Sequence, residues 1–161
     1  MKKFFVVGNP IEHSLSPKLH NFWFKENNIK AEYNKKVLEK RDLPGLVDKM
    51  RSQEINGVNV TVPFKKDIIN FLDELSTESK QTDSVNTLVN ENGKIIGHNT
   101  DIAGFELAIR HINYDLKNKN ILILGAGGVV PSIIFALRKS NINKISIMNR
   151  SIHNAKLLKE K

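Results

Sequence analysis

Lys65 ends the run Gly57-Val58-Asn59-Val60-Thr61-Val62-Pro63-Phe64-Lys65, and Asp101 lies within Gly97-His98-Asn99-Thr100-Asp101-Ile102-Ala103-Gly104. An ammonium group and a carboxylate on two loops beside predicted strands suit proton transfer, the first exchanging a proton with a reacting oxygen and the second orienting it. Each also has a plainer role. Asp101 opens a predicted helix, where negative charge favours the dipole, and a lysine at a strand end is commonly solvated. Spacing along the chain does not bring the two side chains together. Ser14 and Ser16 stand two apart in His13-Ser14-Leu15-Ser16-Pro17, just ahead of a predicted helix. Their hydroxyls can point one way and hold a carboxylate, or simply cap the helix.

A second group follows. Gly125-Ala126-Gly127-Gly128 comes after an apolar run and leads into a helix. Backbone amides and the helix dipole at such a turn can receive a pyrophosphate, and missing side chains permit close approach. Val129 and Val130 come next, and Val130 stands where glycine or alanine is usual, which predicts looser packing of the helix on its strand; Pro131 fits a first turn. The next strand ends Met148-Asn149-Arg150-Ser151, with no acidic residue at its tip. An NAD site holds the ribose hydroxyls with an acid about 20 residues beyond the glycines, whereas a cation suits a 2′-phosphate. Arg150 pairing with that phosphate, with Asn149 and Ser151 as hydrogen-bonding neighbours, therefore points to NADP(H) over NAD. The plainer reading of Arg150 is a solvent-exposed residue at a helix start.

The elements that must carry these groups alternate. Residues 3–7 read as a strand and 17–28 as a helix with Leu19, Phe22 and Trp23 at helix-face spacing. Residues 32–37 read as a strand, 43–53 as a helix opened by Asp42 and Pro44, and 57–62 as a buried strand. A helix through Leu72 comes next, and then a hairpin of 85–89 with 94–97 turning at Asn92-Gly93. Residues 100–111 read as helical. Apolar periodicity lapses over 113–120, the best domain boundary, and resumes as strand 121–124, helix 129–140, strand 144–148 and helix 151–159. Strands alternating with helices predict an α/β fold with a mostly parallel sheet. The second part is an open βαβα piece; a complete doubly wound domain needs more strands.

Composition narrows the function. At 161 residues and 40% hydrophobic, the chain can form one ordinary domain, or a small domain plus part of another. It has no cysteine, so disulfides and thiolate chemistry are excluded. Its five histidines show no HxxxH or HExxH arrangement, so no metal site is expected. No apolar run approaches the roughly 18 residues of a membrane span, and Phe4-Phe5-Val6-Val7 is too short for a signal segment, so a cytoplasmic protein is expected. The net charge of +8 comes mostly from lysines spread over predicted helices, a pattern of solvated faces that argues against nucleic acid.

The motifs occur in an order that resembles shikimate dehydrogenase. They are Gly8-Asn9-Pro10-Ile11 with His13-Ser14-Leu15-Ser16-Pro17 and His20-Asn21, then Asn59 through Lys65, Val85-Asn86-Thr87-Leu88, Gly97 through Phe105, Gly125 through Gly128, and Asn149-Arg150-Ser151. The resemblance implies a substrate domain over 1–112, followed from 113 by the first part of an NADP-binding Rossmann-type domain, with the active site in the cleft between them. It implies interconversion of 3-dehydroshikimate and shikimate in aromatic amino-acid biosynthesis. By the same resemblance Ser14 and Ser16 bind the substrate carboxylate, Thr61, Asn86 and Asp101 its ring hydroxyls, and Lys65 its reacting oxygen. Lys65 and Asp101 are the implied catalytic pair, and Gly125, Ala126, Gly127, Gly128, Val129, Asn149, Arg150 and Ser151 the implied cofactor contacts. The expected partners are small molecules, with no nucleic acid or membrane, in a monomer or homodimer. Family members continue well beyond this chain's last residue, so the piece is expected to be an N-terminal part. The competing readings are a quinate/shikimate dehydrogenase using NAD and a non-catalytic binding module.

Overall fold

The computed structural model describes residues 1–159, in two compact units, the first Met1–Asn99 and the second beginning at Thr100. The first unit is built on a six-stranded sheet of order β2-β1-β3-β5-β6-β4. Its strands are β1 (Lys2–Gly8), β2 (Ala31–Val37), β3 (Gly57–Val60), β4 (Glu74–Leu75), β5 (Thr87–Glu91) and β6 (Lys94–His98). Pairings β1–β2, β1–β3 and β4–β6 are parallel, while β3–β5 and β5–β6 are antiparallel.

β1 shows why the sheet is covered on both sides. Successive strand residues point to opposite faces, and here Val6 and Val7 are both buried, in different clusters. Val6 packs with Ile11 and Tyr33, joined by Phe4 and by Phe24 of α1 (Ser16–Glu26). Val7 joins the larger core, to which α2 (Leu43–Arg51) contributes Leu43, Leu46, Val47 and Met50. That spacing of three and four residues makes one helical stripe. The hairpin turns as expected at Asn92 and Gly93, both at positive φ, and β5 pairs with β6 from Thr87↔His98 to Glu91↔Lys94.

Two segments depart from the sequence pattern. The helix expected through Leu72 is a short 3-10 stretch, Asp67–Phe71, anchored by the fully buried Ile68. It ends where the Asp73 carboxylate accepts from the Ile95 N–H at 2.7 Å and pairs with Arg51 at 2.8 Å. A further helix, α3 (Thr77–Thr82), has no apolar stripe to announce it. Ser76 caps it by accepting from the Ser79 N–H at 3.2 Å, and it is held through buried Ser79 and Thr82.

The second unit comprises α4 (Asp101–His111), β7 (Asn120–Leu124), α5 (Val130–Arg138), β8 (Lys144–Met148) and α6 (Ile152–Lys159). β7 and β8 are parallel, paired from Asn120↔Lys144 to Leu124↔Met148. The break between units falls after Asn99, ahead of the polar stretch 113–120, because α4 packs against α5. No helix among the described residues is long and apolar enough to cross a membrane.

Candidate active site

In the first unit, backbone hydrogen bonds gather the loops at the carboxyl ends of β1, β3 and β6 and the amino end of β5. The Thr61 N–H donates to the Val7 carbonyl at 2.9 Å, and the Asn9 N–H to the Val62 carbonyl at 3.0 Å. Val60 donates to the Asn86 carbonyl and Asn86 to the His98 carbonyl, each at 2.9 Å, and Val85 donates to the Lys65 carbonyl at 2.8 Å. Thr61, Lys65 and Asn86 thereby come to one end of the central strands. Gly8 makes this approach possible. A Cβ there would lie 2.6 Å from Thr61 Cγ2 and 2.9 Å from the Val62 carbonyl oxygen, closer than side-chain carbons approach backbone.

The two adjacent lysines differ. Lys65 is half-buried beside buried Phe64, with its backbone fixed by Val85. Lys66 is exposed and pairs with Asp83 at 2.8 Å, a hydrogen bond that raises its pKa above the usual lysine value. Ser14 and Ser16 lie on the loop that leaves β1 at this end, and both are half-buried. The N-cap position of α1 is Leu15, with no side-chain cap; the Ser14 hydroxyl instead accepts from the Ser16 N–H at 3.3 Å. The simple capping role therefore does not describe Ser16.

Asp101 is the first residue of α4 and so belongs to the second unit, whereas Lys65 belongs to the first. Elsewhere in the second unit the glycine turn and the tip of β8 adjoin. The Gly125 N–H donates to the Met148 carbonyl at 2.8 Å, and Gly125 has a φ of +112°, which glycine adopts without strain. Gly127 and Gly128 are exposed, and a Cβ on Gly127 would meet nothing within 4 Å. Ala126 and Val129 complete the turn. The Asn149 side chain donates to the Ser151 carbonyl at 2.8 Å, and Arg150 is exposed beside it. Open backbone at a helix start next to an exposed guanidinium and no acid matches the chemistry of a phosphorylated dinucleotide. Val130 is 5% exposed, so the larger side chain is buried at the start of α5. Among the described residues no group of three or more His, Asp and Glu is placed to hold a metal.

Sequence reasoning assigned no role to Asn59, Tyr33 or Thr87. The Tyr33 hydroxyl donates to Asn59 Oδ1 at 2.6 Å, and Asn59 Nδ2 donates to the Asn86 carbonyl at 3.3 Å and to Thr87 Oγ1 at 3.1 Å. A signal was there to read: an asparagine inside an otherwise apolar buried strand needs partners.

Residues 6–88 match the family model of the shikimate dehydrogenase substrate binding domain, and residues 106–161 that of shikimate / quinate 5-dehydrogenase. The chain is 54% identical over 150 residues to the shikimate dehydrogenase (NADP(+)) of Pelagibacter ubique, covering 93% of this chain and 57% of that protein. A crystal structure of shikimate dehydrogenase from Aquifex aeolicus superposes with a TM-score of 0.92 at 35% identity, over 99% of this chain and 60% of that one. The Thermus thermophilus shikimate 5-dehydrogenase in complex with NADP(H) and shikimate gives 0.89 at 34% identity, over 99% and 60%. The chain thus spans somewhat over half the length of these relatives.

Proposed function

This chain belongs to the shikimate dehydrogenase family, and we propose that it carries the shikimate-binding residues and the first cofactor contacts of an NADP-dependent oxidoreductase. The observation that supports this most is the hydrogen-bonded gathering of the Thr61, Lys65 and Asn86 loops at one end of the central strands. In this reading Ser14 and Ser16 hold the carboxylate of shikimate, while Thr61, Asn86 and Asp101 hold its ring hydroxyls. Lys65 faces the oxygen that is a carbonyl in 3-dehydroshikimate and a hydroxyl in shikimate.

NADPH, when bound, supplies the hydride that reduces the carbonyl carbon. The residues handle the charge and the proton. As negative charge grows on the oxygen, the Lys65 ammonium stabilises it and donates the proton; in the reverse direction Lys65 accepts that proton. Asp101 orients the ammonium and the substrate. Gly125, its own N–H held by Met148, would shape the turn whose amides at Ala126, Gly127, Gly128 and Val129 would receive the pyrophosphate, and Arg150, with Asn149 and Ser151, would take the 2′-phosphate.

The test follows NADP-dependent absorbance with shikimate on this chain beside Lys65→Ala, with shikimate binding read by calorimetry. The expected result is a fall in turnover of about 10² or more in the variant. Undiminished turnover overturns the role of Lys65, and a preference for NAD overturns that of Arg150. Binding without turnover identifies a binding module, and absence of shikimate binding overturns the substrate.

A further inference from the structure

We propose that Tyr33, more than one side chain removed from the site, reinforces the orientation of the Asn86 carboxamide through a directional hydrogen-bond chain formed with Asn59 and Thr87, and so acts as a positioning residue for shikimate. The inference rests on the reading above in which Asn86 contacts a ring hydroxyl.

The direction of each bond follows from what each atom can do. The Asn86 backbone carbonyl can only accept, so the side-chain end of Asn59 that faces it at 3.3 Å is Nδ2. Asn59 Oδ1 is then the end that faces Tyr33, and a carboxamide oxygen only accepts, so the phenol donates at 2.6 Å. Burial raises the Tyr33 pKa above the ordinary phenol value, which keeps that proton in place. Asn59 Nδ2 also donates to Thr87 Oγ1 at 3.1 Å. A hydroxyl that accepts there has its own proton to give, and the acceptor at 3.0 Å is Asn86 Oδ1. With Oδ1 engaged by Thr87, Asn86 meets a substrate oxygen with its Nδ2–H donors.

The start of the chain is held firmly. Asn21 of α1 clamps both backbone groups of Tyr33: its Oδ1 accepts from the Tyr33 N–H at 2.9 Å, and its Nδ2 donates to the Tyr33 carbonyl at 2.8 Å. The His20 ring lies on the Tyr33 ring at 4.2 Å with the planes 4° apart. Tyr33 is 3% exposed. The Asn86 carbonyl already favours this flip of Asn59 through a bond of 3.3 Å; the phenol proton adds the shorter bond, and without it Asn59 Oδ1 loses its donor and the hold of Nδ2 on Thr87 loosens.

Tyr33→Phe keeps the ring and its packing and removes only the first donor; Thr87→Val removes the last, and Thr87→Ser restores it. We expect Tyr33→Phe and Thr87→Val each to weaken shikimate binding about three- to tenfold by calorimetry, the effect of one net hydrogen bond, with Thr87→Ser close to the unmodified chain. In an Asn86→Ala background, Tyr33→Phe has no further effect. A loss of the same size in that background, or none from Thr87→Val, overturns the proposal. If the unmodified chain does not bind shikimate, the functional reading falls and the chain of bonds is judged by NMR alone. There the Asn86 side-chain amide resonances shift in Tyr33→Phe and Thr87→Val while those of Asn27, on the exposed end of α1, stay put. Unmoved Asn86 resonances overturn the relay.

Discussion

The strands of the two units use the same residue types and end in different states. In the first unit Val6 and Val7 of β1 point to opposite faces and both are buried, one under α1 and the other under α2 and the 3-10 stretch. In the second, Ile121 and Ile123 of β7 are half-covered while Leu122 and Leu124, on the alternate face, are 56% and 75% exposed, as is Met148 of β8 at 62%. Coverage accounts for the difference. Among the described residues, six strands with helices on both faces enclose a core in the first unit, whereas the second has a two-stranded sheet with fewer helices against it. The same contrast runs through the candidate sites. Hydrogen bonds between neighbouring strands lock the loops of the first unit together, while the second presents open backbone at its glycine turn.

Substitutions at equivalent apolar positions should break or sharpen this contrast. Ile68→Ala removes a fully buried side chain of the first unit and is expected to cost about 2–5 kcal/mol in urea unfolding. Leu124→Ala in the second unit is expected to stay within about 0.5 kcal/mol. Equal losses would mean that both units are equally covered in solution.

Glycines give the next largest effect. Gly8→Ala places a Cβ against the Val62 backbone and is expected to cost about 1–3 kcal/mol, because backbone has to shift. Gly127→Ala meets nothing within 4 Å, so its thermal midpoint should be unchanged while NADP binding weakens. Gly104 also meets nothing within 4 Å and lies inside α4, so Gly104→Ala is expected to stabilise the second unit by about 0.5–1 kcal/mol through helix propensity alone. A loss of stability there would reveal a neighbour that the second unit by itself does not show.

The smallest effect is one of pH. Burial lowers the His20 pKa below the ordinary 6.5, so the unfolded chain binds that proton more readily than the folded one. The contribution of a neutral His20 is complete above pH 6.5 and is lost as pH falls through that value toward the lower folded pKa. Chemical denaturation of the first unit should therefore show a decline on acidification that His20→Gln removes.

Much of the fold was legible because periodicity and turn chemistry are local. The Leu43, Leu46, Val47 and Met50 stripe, the Asn92-Gly93 hairpin and the βαβα run from Asn120 all carry their signal in adjacent residues. What escaped notice is held by contacts distant in sequence. α3 has a polar sequence, TESKQT, whose anchors are buried hydroxyls, and the stretch after Lys65 is cut to a 3-10 turn by Asp73 reaching Ile95. Candidate site residues were legible as types in motifs; their support was not. Asn59 lies within the Gly57–Lys65 run, but its role is not local, since its partners Tyr33 and Thr87 come from β2 and β5.

By itself the sequence determined which chemical groups this protein carries and on which kinds of element: a lysine after a buried strand, a carboxylate at a helix start, a glycine turn, and an arginine after a strand with no acid at its tip. These follow from local rules that act over a few residues. Only the tertiary structure decided that Gly8 lets the Thr61 loop close against β1, that Lys66 turns to Asp83 while Lys65 is anchored through Val85, and that Tyr33 is wired to Asn86. Each of those depends on strands distant in sequence meeting in one register, and a hydrogen bond a few ångströms long exists only once that register is set.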